Sequence, residues 1–237
     1  MNQGLDAIRR VAERLGPIAD RVVFLGGATV PLLVTDPAAA EPRPTKDVDV
    51  AIDVKSRAAY SGRLRSELHA RGFVEDTSEG APIGRWIVDD LRVDIMPADG
   101  SVLGFSNRWY GPALATKVSH VLPGGSRVWV ASGPCFLATK LDAFADRGEG
   151  DFSASHDLED FIAVVDGRPA IETELRDADP QVRDHLRREV GRLLDSAAFV
   201  AALAGLLPPD TGSQARLPAL RARLLRMAGR LPDVSAH

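Results

Sequence analysis

Residues 22–29 read VVFLGGAT and residues 45–52 read TKDVDVAI, and these two stretches decide the fold. In the second stretch, Asp47 and Asp49 flank a single valine. Because side chains alternate faces along a strand, both aspartates point one way while the apolar residues point into the core. The pattern predicts a buried strand with two carboxylates on one face. A pair of solvated aspartates on an open sheet face is the alternative.

A third carboxylate, Asp94, is predicted on a neighbouring strand. Residues 84–88 and 91–96 are two strand-like stretches around an Asp-Asp pair, which is typical of a hairpin. If the second of these strands pairs with the strand that carries the first two aspartates, three carboxylates converge on one sheet face. Carboxylates placed in this way suit Mg²⁺, or Mn²⁺ in its place, and three are enough for a two-metal site.

Gly26 and Gly27 end the first apolar stretch and open a predicted helix from Ala28 to about Val34. Glycine lets the backbone approach a phosphate group closely, and the start of a helix offers free N–H groups and a partial positive charge. The glycine pair therefore predicts a phosphate-binding turn. A tight strand-to-helix turn that holds no ligand is the alternative.

Two basic residues are predicted on one face of a later helix, which begins near Ser132. Lys140 and Arg147 lie at helical spacing there, so both side chains could grip the oxygens of a triphosphate. The alternative is a solvated basic stripe that pairs with Asp142 or Asp146.

Asp157 and Asp160 lie three residues apart on the next predicted helix, so they share a face. Asp157 suits the N-terminal end of that helix, where the helix dipole favours an acid. Asp160 could orient Lys140 through a salt bridge, hold the base or sugar of a nucleotide, or act on the acceptor. The spacing leaves open which of the two is the functional acid.

In this order, the motifs resemble the nucleotidyltransferase superfamily related to polymerase beta. The resemblance rests on Gly-Gly, then Thr-x-Asp-x-Asp beginning at Thr45, then an aspartate on a later strand. Residues 132–147 and 156–161 are similar to the Lys-x-x-Ala-x-x-x-Arg and Asp-x-x-Asp-Leu patterns of the AbiEii-like branch, the toxins of type IV toxin–antitoxin pairs. Together these motifs cover about residues 20–165.

The resemblance implies a Mg²⁺-dependent enzyme that moves a nucleoside monophosphate from an NTP to an acceptor hydroxyl. The acceptor would be an RNA end, most often tRNA, and the protein would be a toxin with a partner antitoxin. Asp47, Asp49 and Asp94 would bind the metals, and Asp94 would help to deprotonate the acceptor. Catalytic roles are also implied for Lys140 and Asp160. The residues implied to bind the nucleotide are Gly26, Gly27, Thr45, Lys140, Arg147 and Asp157.

The chain departs from the family pattern at the glycine pair, where the superfamily has Gly-Ser. A serine hydroxyl is missing there, and Thr29 or Thr45 could supply one instead. Minimal antibiotic nucleotidyltransferases share much of the later pattern, so a small molecule such as an aminoglycoside, or a protein hydroxyl, is an alternative acceptor. A nucleotide-binding or interaction module without catalysis is a third alternative.

The composition is that of a soluble globular protein, with 237 residues, 45% hydrophobic and 26% charged. The single cysteine fits a reducing cytoplasm, and the longest apolar run, residues 197–207, is too short to span a bilayer. A net charge of −4 argues against nucleic-acid binding over the whole surface. Two arginine clusters could nevertheless receive an RNA backbone, or simply line the wet faces of helices. They are Arg183, Arg187, Arg188 and Arg192, and Arg216, Arg221, Arg223, Arg226 and Arg230.

The order of elements predicts an α/β fold, a nucleotidyltransferase-type mixed sheet with flanking helices plus a C-terminal helical bundle. Helices are expected over residues 4–15 and 56–71, and a second hairpin is expected to turn at residues 122–126. We expect the α/β core to occupy residues 1–130 and the helical domain residues 131–237, with the substrate in a cleft between them.

Overall fold

The computed structural model describes residues 2–147 and 151–232 and separates into two compact units. The first unit holds residues 2–32 and 43–136, and the second holds residues 33–42, 137–147 and 151–232. The predicted boundary at residue 130 stays a prediction. Residues 1, 148–150 and 233–237 of the two predicted domains lie outside the described residues.

Every strand that the structure describes belongs to the first unit, and together they form one mixed sheet of seven strands. The strands are β1 (Val22–Leu25), β2 (Val48–Ile52), β3 (Val74–Glu75), β4 (Arg85–Val88), β5 (Leu91–Pro97), β6 (Val118–Val121) and β7 (Arg127–Val130). Their order across the sheet is β3-β4-β5-β2-β1-β7-β6. The β1–β7 and β2–β5 pairs are parallel and the others are antiparallel. The predicted fold class, a nucleotidyltransferase-type mixed sheet flanked by helices, is confirmed.

The two central strands are buried because their residues are almost all apolar. All four residues of β1 are at most 4% exposed. In β2, Val48 and Val50 are each 1% exposed and Ile52 is fully buried, whereas Asp49 is half-buried on the opposite face. This alternation is the one that the sequence predicts, and it fixes the direction in which the aspartates point.

The helices of the first unit begin with α1 (Gln3–Leu15), as predicted. Its N-terminal end is capped by Asn2, whose side chain accepts from the backbone N–H groups of Gly4 at 3.0 Å and Leu5 at 3.4 Å. Arg14 of α1 pairs with Asp89 in the turn between β4 and β5 at 2.7 Å, so the helix is tied to the hairpin. The further helices are α2 (Val30–Leu33), α3 (Arg65–His69), which follows a π-helical segment (Ala59–Leu64), and α4 (Tyr110–Ala115).

Two segments of the first unit differ from their predictions. The expected helix from Ala28 to Val34 is a 3₁₀ turn (Gly27–Thr29) followed by the single turn of α2. Both the backbone N–H and the hydroxyl of Thr29 donate to the Gly26 carbonyl, at 3.1 and 2.8 Å, which tightens the start into the 3₁₀ form. The predicted hairpin around residues 122–126 is confirmed as β6 and β7, but α4 was not expected. Its six residues are too few to show a helical period.

Among its described residues, the second unit has helices and connecting segments but no strands. Its helices are α5 (Gly133–Arg147, which begins in the first unit), α6 (His156–Gly167), α7 (Ile171–Asp177), α8 (Pro180–Asp195), α9 (Ala197–Ala202), α10 (Thr211–Ala215) and α11 (Leu217–Met227). Leu158 and Phe161 of α6, Leu186 of α8 and Leu224 of α11 are fully buried. Across the described residues, no helix combines the length and the apolar character that crossing a bilayer requires.

The segment of residues 33–42 joins the second unit through backbone hydrogen bonds. The N–H groups of Thr35 and Asp36 both donate to the Gly167 carbonyl, at 2.8 and 2.9 Å. A Cβ at Gly167 would lie 2.7 Å from a methyl group of Val34, so only glycine allows this approach. Arg216 links the segment to α6 by pairing with Asp36 of the segment and with Asp166 of α6, each at 2.7 Å.

Candidate active site

The pairing of β2 with β5 places Asp49 directly beside Asp94. In this register Asp49 is the Cα partner of Asp94, and Asp94 is in turn the partner of Arg85 on β4. Cross-strand partners point to the same face, so the two carboxylates and the guanidinium form one row across three strands. The predicted convergence of Asp49 and Asp94 on one face is therefore present in the structure.

Asp47 lies one residue before β2 and points to the same face as Asp49. Its backbone N–H donates to the hydroxyl of Thr45 at 3.2 Å, which uses one lone pair of that hydroxyl. The Asp47 Oδ1 atom is shielded from solvent and accepts no hydrogen bond. Arg92 of β5 approaches it with Nε at 2.9 Å, as an ion pair without hydrogen-bond geometry.

Asp94 is held by a bidentate ion pair. Arg85 donates from Nε to Oδ1 and from Nη2 to Oδ2, both at 2.8 Å. The two side chains are 22% and 23% exposed, so water screens the pair only in part. The hydrogen bonds that Arg85 donates to Asp94 raise the pKa of its guanidinium, burial opposes this, and the charges of Asp94, Asp47 and Asp49 raise it further. The charges of all three carboxylates therefore act on the Arg85 guanidinium.

Gly26 leaves the space that the Asp49 carboxylate occupies. Its φ of 73° lies in the left-handed region that favours glycine. A Cβ at this position would lie 1.8 Å from Asp49 Oδ2 and 2.7 Å from its Cγ. The glycine that the sequence assigns to a phosphate turn thus also packs against the predicted metal ligand.

The donor set of this face suits a divalent cation in its chemistry. Three carboxylates supply hard oxygen ligands, and Asp47 Oδ1 is a buried oxygen without a hydrogen-bond donor. As the side chains stand, however, no three His, Cys, Asp or Glu residues within residues 2–147 and 151–232 form a ready metal-ligand set. Both oxygens of Asp94 accept from Arg85, so a cation would compete with the guanidinium for them.

Thr29 and Thr45 are the two candidates to replace the missing serine hydroxyl, and the hydroxyl of each already takes part in a local hydrogen bond. Thr29 is fully buried, and its hydroxyl donates to the Gly26 carbonyl at 2.8 Å. Thr45 caps the turn before β2 by accepting from Asp47. The Thr45 hydroxyl keeps its own proton for a further acceptor, whereas that of Thr29 is already used.

A second cluster of predicted residues lies in the second unit, around Lys140 on α5. Its Nζ donates to Asp160 Oδ2 at 2.6 Å and to Asp157 Oδ1 at 3.1 Å. Arg147 donates from Nη2 to Asp157 Oδ2 at 2.8 Å. The Lys140 and Asp160 side chains are 9% and 2% exposed, whereas that of Arg147 is 71% exposed. Two basic and two acidic groups therefore balance within the cluster.

These contacts decide between the predictions for Lys140. The salt bridge from Asp160 to Lys140 that the sequence suggests is present. The alternative of a solvated stripe paired with Asp142 or Asp146 is wrong for Lys140, which is buried between the acids of α6. Asp142 instead lies 3.1 Å from Nε2 of the buried His185 on α8. The helical period alone cannot reveal a partner that comes from the next helix.

The structure adds Arg85 and Arg92, to which the sequence analysis gives no role. Both point to the aspartate face, at 2.8 Å from Asp94 and 2.9 Å from Asp47. A signal for Arg85 was available, because a two-residue turn at residues 89–90 pairs Val88 with Leu91 and, three steps on, Arg85 with Asp94.

Most arginines of the two predicted RNA-contact clusters are engaged in ion pairs within the second unit. Arg216 pairs with Asp166, Arg226 with Glu172, Arg230 with Asp195 and Arg192 with Glu189, each within 2.9 Å. These pairs neutralise much of the positive charge that the sequence suggests. Among the described residues, Arg187 and Arg221 are the members without a carboxylate partner.

Comparisons with known proteins return little. No family model matches the chain, and no curated protein matches its sequence. The crystal structure of JHP933 from Helicobacter pylori matches over 98% of this chain and 94% of that one, with a TM-score of 0.46 and 12% identity. The structure of a proposed nucleotidyltransferase from H. pylori matches over 100% of both chains, with a TM-score of 0.45 and 11% identity. Identities and TM-scores this low assign no function to the chain.

Proposed function

We propose that the chain is a metal-dependent nucleotidyltransferase, which transfers a nucleoside monophosphate from an NTP to an acceptor hydroxyl. The observation that carries this proposal is the row of Asp49 and Asp94 on neighbouring parallel strands, with Asp47 on the same face. Three carboxylates on one sheet face repel one another, and Arg85 and Arg92 pair with two of them, Asp94 and Asp47. A divalent cation would relieve the remaining repulsion.

Asp47 and Asp49 would hold Mg²⁺ or Mn²⁺, and Asp94 would share one of the ions. When bound, the metal would neutralise charge that develops on the phosphoryl oxygens. There the ion would compete with the Arg85 guanidinium for the oxygens of Asp94. Gly26 would leave room for the Asp49 carboxylate, because the Cβ of any other residue at this position would overlap that carboxylate.

In the proposed reaction, the acceptor hydroxyl oxygen forms a bond to the α-phosphorus of the NTP. The bond from that phosphorus to the bridging oxygen breaks, and pyrophosphate leaves. Asp94 accepts the proton of the acceptor hydroxyl through a carboxylate oxygen. The backbone at Gly26 and Gly27 would lie close to the phosphate groups because neither residue has a side chain.

The resemblance extends the proposal to the second unit, where Lys140 and Arg147 would hold the triphosphate. Since Lys140 donates to two carboxylates, it would have to exchange at least one of them for a phosphate oxygen. Asp160 would then be a positioning residue for Lys140, and Asp157 would link Lys140 to Arg147. Thr45, whose hydroxyl proton remains available, would contact the nucleotide.

By resemblance, the acceptor is an RNA end, most often tRNA, and the protein acts as a toxin with a partner antitoxin. A small-molecule acceptor such as an aminoglycoside, or a protein hydroxyl, is the second candidate. It is favoured by the ion pairs that occupy most arginines of the two clusters, because a neutralised arginine attracts an RNA backbone less strongly.

The test is transfer of label from each α-³²P nucleoside triphosphate, with Mg²⁺ or Mn²⁺, to total tRNA and in parallel to a panel of aminoglycosides. The control is the Asp47→Ala/Asp49→Ala variant. Labelled tRNA that is lost in the variant supports the RNA-directed toxin, and labelled drug supports the second candidate. Transfer that persists in the folded variant refutes the proposed catalytic role of these carboxylates.

A further inference from the structure

A cavity of about 290 Å³ lies within the second unit, among α7, α8 and the end of α11. Its lining is basic on one side and apolar on the other. The basic residues are Arg176, Arg183, Arg187 and Arg226, and the acids are Glu172 and Asp184. Four guanidiniums and two carboxylates therefore line one small space.

The two lining carboxylates contact Arg226 closely and Arg183 loosely. Glu172 accepts from Arg226 at 2.8 Å, which satisfies that pair. Asp184 lies 3.8 Å from Arg183, too far for a hydrogen bond. Arg187 has no carboxylate partner among the described residues. The positive charge without a close carboxylate partner therefore centres on Arg187, and Arg183, which pairs only loosely with Asp184, lies one helical turn away on α8.

The chain makes room for Arg187 at the turn after α11. Gly229 has a φ of 69°, and a Cβ there would lie 2.3 Å from Arg187 Nη2 and 2.6 Å from its Cζ. The guanidinium thus packs against the bare α-carbon of a glycine. This contact restricts the Arg187 guanidinium to the cavity wall. Binding of a ligand there therefore costs less side-chain conformational entropy.

The apolar side of the cavity is formed by Leu175 and Met227, which are 6% and 7% exposed. A wall of this kind suits the uncharged body of a small molecule, while guanidiniums bind phosphate oxygens in a bidentate manner. The volume lies near the lower end of the range for small-molecule sites. A polynucleotide backbone would make little use of the apolar part of the lining.

From these contacts we propose that the cavity binds the phosphate groups of a small phosphorylated ligand, with Arg183 and Arg187 as the ligand-binding residues. None of these residues belongs to the carboxylate row or to the Lys140 cluster. The proposal is thus independent of nucleotidyl transfer and stands or falls separately.

The test is calorimetric titration of the full-length protein with sodium tripolyphosphate, at low salt and in EDTA. All variants carry Asp47→Ala/Asp49→Ala, so that the proposed metal site contributes nothing. We expect the parent to bind tripolyphosphate, with affinity about tenfold or more weaker in Arg183→Ala/Arg187→Ala. Arg221→Ala is the matched control, because Arg221 is exposed on α11 but does not line this cavity, and it should bind as the parent does.

Arg187→Gln, which keeps a polar side chain but loses the positive charge, should weaken binding by an intermediate amount and guards against misfolding of the double variant. Absence of binding in the parent, or equal binding in Arg183→Ala/Arg187→Ala, would overturn the proposal. Binding of a single-stranded RNA oligonucleotide without binding of tripolyphosphate would overturn it too, since the ligand would then be a polymer.

Discussion

Arg85 clasps Asp94 through two parallel hydrogen bonds of 2.8 Å, and the partner of Asp94 on the other side of the row is Asp49. The guanidinium therefore occupies one hydrogen-bonding position on each oxygen of Asp94. It stabilises a row of carboxylates that would otherwise repel one another. It also competes with any metal that needs the oxygens of Asp94.

Removing this competitor should strengthen metal binding. In Arg85→Ala, Asp94 loses its bidentate partner, and we expect Mn²⁺ to bind about tenfold more tightly in a titration followed by electron paramagnetic resonance. Arg65→Ala, which breaks the exposed Arg65–Glu75 pair in the same unit, should leave Mn²⁺ affinity unchanged. Equal affinity in Arg85→Ala and the wild type would show that Asp94 takes no part in binding the ion.

The contact between Gly26 and Asp49 predicts the effect of one added methyl group. In Gly26→Ala the new Cβ overlaps Asp49 Oδ2, so the carboxylate must leave its place. We expect Mn²⁺ binding to be lost and the free energy of unfolding to fall by about 1–3 kcal/mol from backbone strain alone. Gly80→Ala is the matched control, because Gly80 has a similar φ of 79° but no atom within 4 Å of its Cβ. A Gly26→Ala protein that binds Mn²⁺ as well as Gly80→Ala does would contradict the geometry.

The buried Lys140 predicts a large loss of stability on removal of its charge. Lys140→Met leaves Asp160, which is 2% exposed, without its ammonium partner. We expect the free energy of unfolding, measured in urea, to fall by about 3–5 kcal/mol. Arg147→Met removes an exposed partner of Asp157 and should cost less than about 1 kcal/mol. Equal losses in the two variants would mean that Lys140 is not buried in solution.

Asp36 should cause part of the acid sensitivity of the second unit. A backbone hydrogen bond from Ala38 and the side chain of Arg216 lower the pKa of Asp36 below its ordinary value of 3.8. A carboxylate with a lowered folded-state pKa contributes stability that is present above the unfolded pKa and is lost as pH falls through the folded one. The melting temperature should therefore decrease as the pH falls below about 4, and it should decrease less steeply in Asp36→Asn. Parallel curves for the two proteins would exclude Asp36 as a source of this sensitivity.

Local patterns of the sequence predict the elements that form the aspartate face. The alternation around Val48 gives the face on which Asp49 lies, and the acidic turn at residues 89–90 gives the β4–β5 hairpin. Each of these signals lies within a few residues, where strand period and turn chemistry decide the conformation. The same turn also fixes Arg85 opposite Asp94, a consequence that requires only counting along the two strands.

Longer-range pairings could not be read in the same way. The segment of residues 33–42 joins the helical unit because the Gly167 carbonyl accepts hydrogen bonds from two backbone N–H groups of the segment. The partners are about 130 residues apart in the sequence. The partners of Lys140 come from α6 rather than from its own helix. Such contacts depend on how elements pack, which a local period does not encode.

The central claim is that the row of carboxylates carries out nucleotidyl transfer, and one isosteric substitution tests it most directly. Asp49→Asn keeps the shape of the side chain against Gly26 but removes its charge. Asp53→Asn, an exposed aspartate just after β2, is the matched control. With the acceptor identified by labelling, we predict that Asp49→Asn lowers the rate of α-³²P transfer by about a hundredfold or more, while Asp53→Asn leaves it unchanged. A folded Asp49→Asn protein that transfers label at the wild-type rate would contradict the claim.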